Sequence, residues 1–303
     1  MKKVTILMST YNGEKYIKEQ IESILNQSYE NIDLIVRDDG SSDSTIDILE
    51  EYSMQGKLKW YGGDTNLKPA YSFLELVRNA SDTDFYAFAD QDDVWDREKI
   101  EVAINYLEPF KQQTPILYCS TTKLVDQNLN EIAPIAYNKS YRLSFGESLV
   151  QSVSPGCTFV FNYSLKKHIS NFKGEDIIMH DSLAYKLACG LGQVVFDKQP
   201  HISYRQHGGN VIGNETSFIK KNINRMKRFM FPRVPNSRLR SAIALKKNYG
   251  DIFDEKTLIT LNLLINYKSS FLNKLKLIRN KDIQMVNGLD NFFLKILILL
   301  GKV

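Results

Sequence analysis

The chain has 303 residues, 43% of them apolar and 24% charged, enough to bury a full core and to exclude a disordered or fibrous protein. Cys119, Cys157 and Cys189 form no C-x-x-C pair and are too few for a disulfide framework, which excludes a zinc or dithiol centre and points to a reducing, cytoplasmic setting. The net charge of +4 conceals a partition: residues 218–303 carry 18 Lys and Arg against 5 Asp and Glu, so chemistry is expected in the acidic part, 1–217, and contact with a polyanion in the basic part.

Short β-branched runs at 4–8, 33–37, 57–61 and 85–89 alternate with helical periodicity at 14–27, 44–55 and 70–79, a βαβαβαβ pattern that predicts a mostly parallel sheet flanked by helices. The first run is too short for a signal peptide and ends in a polar turn. Ligands of such sheets bind beyond the carboxyl ends of the strands, which directs attention to the loops at 9–13, 38–43 and 90–93. A helix at 96–110, a strand at 115–122 and a polar loop at 128–141 follow. A strand at 158–162, a helix at 180–189 and strands at 194–196 and 202–205 read as an antiparallel completion of the sheet. From about residue 217 the pattern is helical, broken at Pro232 and Pro235, with cations interleaved among Phe, Ile, Leu and Met.

Asp90-Gln91-Asp92-Asp93 packs three carboxylates behind a strongly apolar strand. Crowded carboxylates repel one another unless a cation lies between them, and Mn2+ or Mg2+ is typically held by one or two carboxylates plus a ligand's phosphates. Helix capping by Asp93 or Asp96 is the alternative. In the segment from Arg37 to Thr45, Asp39 can accept from the imide N–H of uracil or thymine, while Gly40 turns the chain and Asp43 or Ser44 caps a helix. Ser9-Thr10-Tyr11-Asn12-Gly13 supplies small polar groups and an aromatic face that can stack on a base.

Taken together, Ile6-Leu7-Met8-Ser9-Thr10-Tyr11-Asn12, the Asp38-Asp39-Gly40-Ser41 turn and the Asp90-Gln91-Asp92 triplet resemble the glycosyltransferase family 2 enzymes of bacterial surface-polysaccharide assembly, over about residues 1–215. The resemblance implies an α/β fold of GT-A type, with a catalytic domain at 1–217 and a basic amphipathic helical extension at 218–303. It implies that Ser9, Thr10, Tyr11 and Asp39 hold the nucleobase, that Asp90 lies near the ribose, and that Asp92 ligates the metal. Asp181, in Met179-His180-Asp181, matches the family's catalytic base; His180 departs from the commoner glutamate, as in the rhamnosyltransferase-like branch, and an N-cap role for Asp181 stays open. Tyr204-Arg205-Gln206-His207 resembles the family's Arg-x-His segment, which would bring Arg205 to the diphosphate and let His207 complete the metal's coordination. Gly156, in Pro155-Gly156-Cys157-Thr158, would line the sugar pocket. Cys157 has no local base to activate it as a nucleophile, and His168 and His201 read as structural.

The expected activity is inverting transfer of a sugar, rhamnose favoured and galactose, glucose or N-acetylhexosamine open, from a dTDP- or UDP-sugar to a growing surface polysaccharide or lipid-linked glycan. A degenerate nucleotide- and membrane-binding subunit is the alternative. A cation-rich run at 219–230 and a short apolar run at 291–300, interrupted by Lys295, predict peripheral attachment to the inner face of the cell membrane, against the plainer reading that they pack on the catalytic domain. No nucleic-acid motif accompanies the charge, and neither a Gly-x-Gly-x-x-Gly turn after the first strand nor a P-loop is present.

Overall fold

Four strands, β1 (Val4–Thr10), β2 (Ile32–Asp38), β3 (Lys59–Gly62) and β4 (Phe85–Ala89), pair in parallel in the order β3-β2-β1-β4. Between them run α1 (Ile17–Leu25), α2 (Thr45–Met54) and α3 (Lys68–Asn79), as the alternating pattern predicts. The structure, a computed structural model, describes residues 1–63, 65–133, 140–174, 176, 179–206 and 236–303.

The second half of the sheet is mixed. It comprises β5 (Val94–Trp95), α4 (Lys99–Leu107), β6 (Ile116–Val125), β7 (Glu131–Ala133), α5 (Phe145–Ser148), a 3-10 turn (Gly156–Thr158), β8 (Val160–Asn162), α6 (Tyr163–Ser170), α7 (His180–Leu191) and β9 (Gln193–Arg205). β8 lies antiparallel between β4 and β6, as expected, but β9 runs parallel to β6. The two short strands expected at 194–196 and 202–205 are one strand, interrupted by register shifts where Asp197 folds its carboxylate onto the Gln199 N–H. A two-residue strand such as β5 gives no periodic signal, and it forms because Val94 and Trp95 pair with Ser203 and Ile202.

Strand alternation divides the core between the two faces of the sheet. Ile6, Met8, Phe85, Ala87, Ala89 and Tyr118 point to a cluster closed by α1, α2 and α4. Leu7, Tyr86, Phe88, Leu117, Phe159 and Phe161 point to a larger one closed by α3, α6 and α7. All five residues of β4 are buried, as befits a strand covered on both faces.

Four further helices, α8 (Ser237–Tyr249), α9 (Glu255–Ile265), α10 (Phe271–Arg279) and α11 (Gly288–Leu300), add Leu245, Tyr249, Leu261, Leu264, Leu277 and Leu297 to the larger cluster. The described part of the basic extension therefore shares a core with the sheet. The expected boundary at 217/218, the breaks at Pro232 and Pro235, and the run at 219–230 lie outside the described residues.

Candidate active site

Register brings the functional loops together. Thr10 sits opposite Asp38 and Met8 opposite Ala89, so the chain leaves β1, β2 and β4 at one edge, with Tyr11, Asp39 and Asp90 as neighbours. Because β8 is antiparallel to β4, the turn that precedes it, Gly156–Thr158, arrives at the same edge. Pairing of β5 with β9 returns Arg205 to the Asp92-Asp93 turn.

On the nucleobase side, Tyr11 is half exposed and offers a ring face. Thr10 donates to Asp38 (3.0 Å), which also accepts from the Gly40 and Ser41 N–H groups and so holds the turn. Asp39 is buried; it accepts from the Arg37 guanidinium and from the Leu67 and Lys68 N–H groups (both 2.8 Å) at the start of α3. Ser9 shares a hydrogen bond with Ser72 (2.6 Å), to which Arg37 also donates. Gln91 ties this side to the acidic turn, accepting from the Tyr11 N–H (2.8 Å) and donating to the Tyr11 carbonyl (3.1 Å). A Cβ at Gly13 would fall 2.5 Å from the Gln91 amide oxygen, so the tie requires glycine there.

In the acidic turn, Asp90 is pushed up to about 7, first by burial and then by the charges of Asp92 and Asp181. Asp181 comes near this edge through the turn before β8, where a Cβ at Gly156 would fall 2.8 Å from the Asp181 Cβ. Asp93 points inward, where it accepts from the Arg205 N–H (3.0 Å), and its other carboxylate oxygen is buried without a hydrogen-bond partner. Ligand atoms of Asp90, Asp93 and Cys157 lie within 4.8 Å of one another. Burial pushes the Cys157 thiol up, so it stays protonated, and a hard divalent cation prefers oxygen. The donors that lie together, Asp90 and Asp93 beside a protonated thiol, are of the oxygen type that suits Mn2+ or Mg2+; Asp92, the expected ligand, is not in that group, although its charge acts on Asp90. His207, the expected third ligand, lies outside the described residues.

Arg205 departs from expectation. Its guanidinium is 2% exposed and donates to the Asp92 carbonyl (2.8 Å), the Gln127 carbonyl (2.6 Å) and Glu19, with the Tyr16 ring 4.5 Å away. It lies under the acidic turn as a brace. Lys99, at the start of α4, is buried with its ammonium 3.6 Å from the Trp95 ring centre, and burial draws it down to about 7. Sequence reasoning missed the roles of this lysine and of Gln91, since each is set by a contact with a residue outside its own periodic pattern.

Beside the Gly156 turn stands the start of α7. Asp181 is in its first turn, not at the N-cap, which is Met179; its carboxylate accepts the N–H of Ser182 (2.6 Å). His180 is buried, stacked on Phe73 (3.8 Å between centres) and edge-on to Phe88 (4.7 Å). Burial draws it down to about 4, and neither ring nitrogen has a hydrogen-bond partner, so it is a neutral core ring. Lys186, one turn on, donates to the Ser182 hydroxyl (2.6 Å). His201, expected to be structural, meets Asp197 at 3.0 Å on β9.

Comparison with known proteins accords with this arrangement. The chain is 30% identical over 237 residues to a dTDP-rhamnosyl transferase, RfbG, of Shigella flexneri, covering 71% of this chain and 76% of that one. It is 33% identical over 141 residues to WfgD of Escherichia coli, a UDP-Glc:alpha-D-GlcNAc-diphosphoundecaprenol beta-1,3-glucosyltransferase, covering 45% and 54%. Among solved structures, S. aureus TarS 1–349 in complex with UDP-GlcNAc superposes with a TM-score of 0.57 at 16% identity, covering 99% of this chain and 92% of that one. The mannosyltransferase PcManGT from Pyrobaculum calidifontis, in complex with GDP-Man and Mn2+, gives 0.54 at 16%, covering 99% and 85%. These likenesses establish a fold of GT-A type. Residues 5–168 match Glycosyl transferase family 2, a span that runs unbroken through the Ser9, Asp39, Asp90 and Gly156 loops and takes in more than half of the sequence; this chain belongs to that family.

Proposed function

We propose that the chain transfers a sugar, with inversion, from a dTDP- or UDP-sugar to a growing surface polysaccharide or lipid-linked glycan at the inner face of a membrane. The observation that carries this is the approach of the α7 start to the end of β4: the Gly156 turn, which β8 brings to the edge that carries Asp90 and Asp92, packs so closely on Asp181 that a Cβ there would fall 2.8 Å from the Asp181 Cβ. Asp181 takes the proton of the acceptor hydroxyl, the oxygen bonds to the anomeric carbon, and the bond to the diphosphate breaks with its electron pair leaving on the nucleoside diphosphate. A divalent cation, when bound at Asp90 and Asp92, would supply charge neutralisation for that leaving group. Tyr11 offers the base a stacking face, and Asp39 an acceptor whose orientation is fixed by α3. Rhamnose is the favoured sugar because of the 30% identity with a protein named as a dTDP-rhamnosyl transferase.

A thermal-shift series with Mn2+ and dTDP-, UDP-, GDP- and CMP-sugars is the first test, since a ligand of the native state raises its melting temperature. The expected result is a metal-dependent shift with dTDP- or UDP-sugars, then turnover that Asp181→Asn lowers by roughly a thousandfold or more while the shift persists. Shifts without turnover in the presence of acceptor would turn the reading to a binding subunit. Full activity in Asp181→Asn would remove the base assignment.

A further inference from the structure

The sugar-transfer chemistry makes no use of the outward face of the last two helices. α10 and α11 lie side by side, with the Lys274 ammonium donating to the Leu299 carbonyl (2.7 Å). Each buries one edge in the larger core cluster, Leu277 from α10 and Leu294, Leu297 and Ile298 from α11. The opposite edges are also apolar. Phe271 and Leu272 on α10 are 65% and 68% exposed, and Leu289, Phe292 and Leu299 on α11 are 46%, 58% and 43% exposed. On α11 the spacing is that of a helical stripe, so the helix is apolar both toward the core and away from it. Large apolar side chains left exposed on two helices that lie side by side mark an interaction surface.

Charge identifies the occupant. Residues 268–303 hold seven Lys and Arg against Asp282 and Asp290. Both carboxylates are turned away from the surface: Asp282 accepts from the Ser144 hydroxyl and the Gly146 N–H, and Asp290 is buried. Within residues 268–303 every exposed charged side chain is therefore a cation. A second copy of the chain would set cations against cations, and a nucleic acid would leave the Phe and Leu side chains without a partner. An anionic bilayer meets both halves of the pattern, taking apolar side chains at the acyl boundary and cations at the headgroups.

We propose that the outward face of α10 and α11 docks on an anionic lipid bilayer, with Phe271, Leu272 and Phe292 entering the interface. This gives the membrane-side reading above a defined surface, and rests on that reading only for its purpose. It places the contact on α10 and on α11, which contains the short apolar run at 291–300.

The test is flotation of the full chain with phosphatidylcholine vesicles, with and without phosphatidylglycerol. Wild-type protein should float with the anionic vesicles, weakly or not at all with the neutral ones, and less at high salt. Combined Phe271→Glu, Leu272→Glu and Phe292→Glu should lower the bound fraction about tenfold or more, with the melting temperature unchanged because all three side chains face water. Lys276→Glu with Lys295→Glu should abolish the preference for anionic vesicles, an independent readout if the triple variant is unstable. Wild-type protein that stays unbound, or a folded triple variant that floats like wild type, would overturn the proposal. So would light scattering that finds a dimer dissolved by the triple substitution and no vesicle binding by either protein. Flotation without any nucleotide-dependent thermal shift would leave this surface standing and remove the transferase reading instead.

Discussion

A Cβ at Gly156 would lie 2.8 Å from the Cβ of Asp181 and 3.1 Å from Nε2 of His180, so the turn before β8 and the start of α7 touch through a missing side chain. Gly156→Ala should push Asp181 away from the acidic turn. We expect kcat to fall roughly tenfold to a hundredfold with the nucleotide Kd little changed, since a displacement near 1 Å is enough for such a loss; a weakened Kd with kcat unchanged would place Gly156 in donor binding alone. His180 tests the pH behaviour. Its folded-state pKa of about 4 lies below the ordinary 6.5, so the unfolded chain takes up a proton that the folded chain refuses. Stability is thus intact above about pH 6.5 and declines as pH falls toward 4, by up to ~3 kcal/mol from this group. His180→Phe should keep activity and flatten that acid slope in denaturant melts from pH 7 to 4. A variant that lost turnover with its fold intact would show the imidazole to be chemical. These roles were only half legible in the sequence. The acidic triplet and Asp181 stand out because carboxylates cluster at predicted strand and helix ends, whereas burial of His180 and Lys99 depends on rings and strands that are distant in the chain.

The segment from Asp90 to Lys99 shows how elements hold a site. Its strand, β4, was legible from composition, but β5 was not, because a two-residue strand exists only through its partner on β9. Arg205, at the end of β9, joins three pieces that no local signal connects: the Asp92 carbonyl, the Gln127 carbonyl and Glu19 of α1. The sequence shows an arginine beside a histidine and suggests a phosphate ligand; only the pairing of β5 with β9 turns it inward. Arg205→Lys should fail to replace it, because a single ammonium cannot serve three acceptors in a planar fork. A loss of about 2–4 kcal/mol in chemical denaturation is expected, together with a weaker Mn2+-dependent thermal shift. Normal stability with weakened donor binding would instead restore the diphosphate role.

For the whole molecule, the pattern predicts a parallel α/β part and a basic helical extension, and their separate charge balances suggest two tasks. The structure joins them, since Leu245, Leu261, Leu264, Leu277 and Leu297 lie in one cluster with Leu7 and Phe88. Periodicity reveals that a helix has an apolar face but not which distant surface it covers. Each such side chain is worth about 1.5–3 kcal/mol when buried, so a chain cut to residues 1–217 should not fold as an independent catalytic domain. We expect it to aggregate or to bind a hydrophobic dye strongly; a monomeric truncation with a sharp melt would show the two parts to be separable. The two faces of the sheet also differ in when they can close. By the time Ile202 has left the ribosome, every buried member of the smaller cluster has been made, whereas the larger one waits for α8 to α11. During that last third of synthesis one side of the sheet is greasy and uncovered, and there chaperones, or neighbouring nascent chains, find their opening.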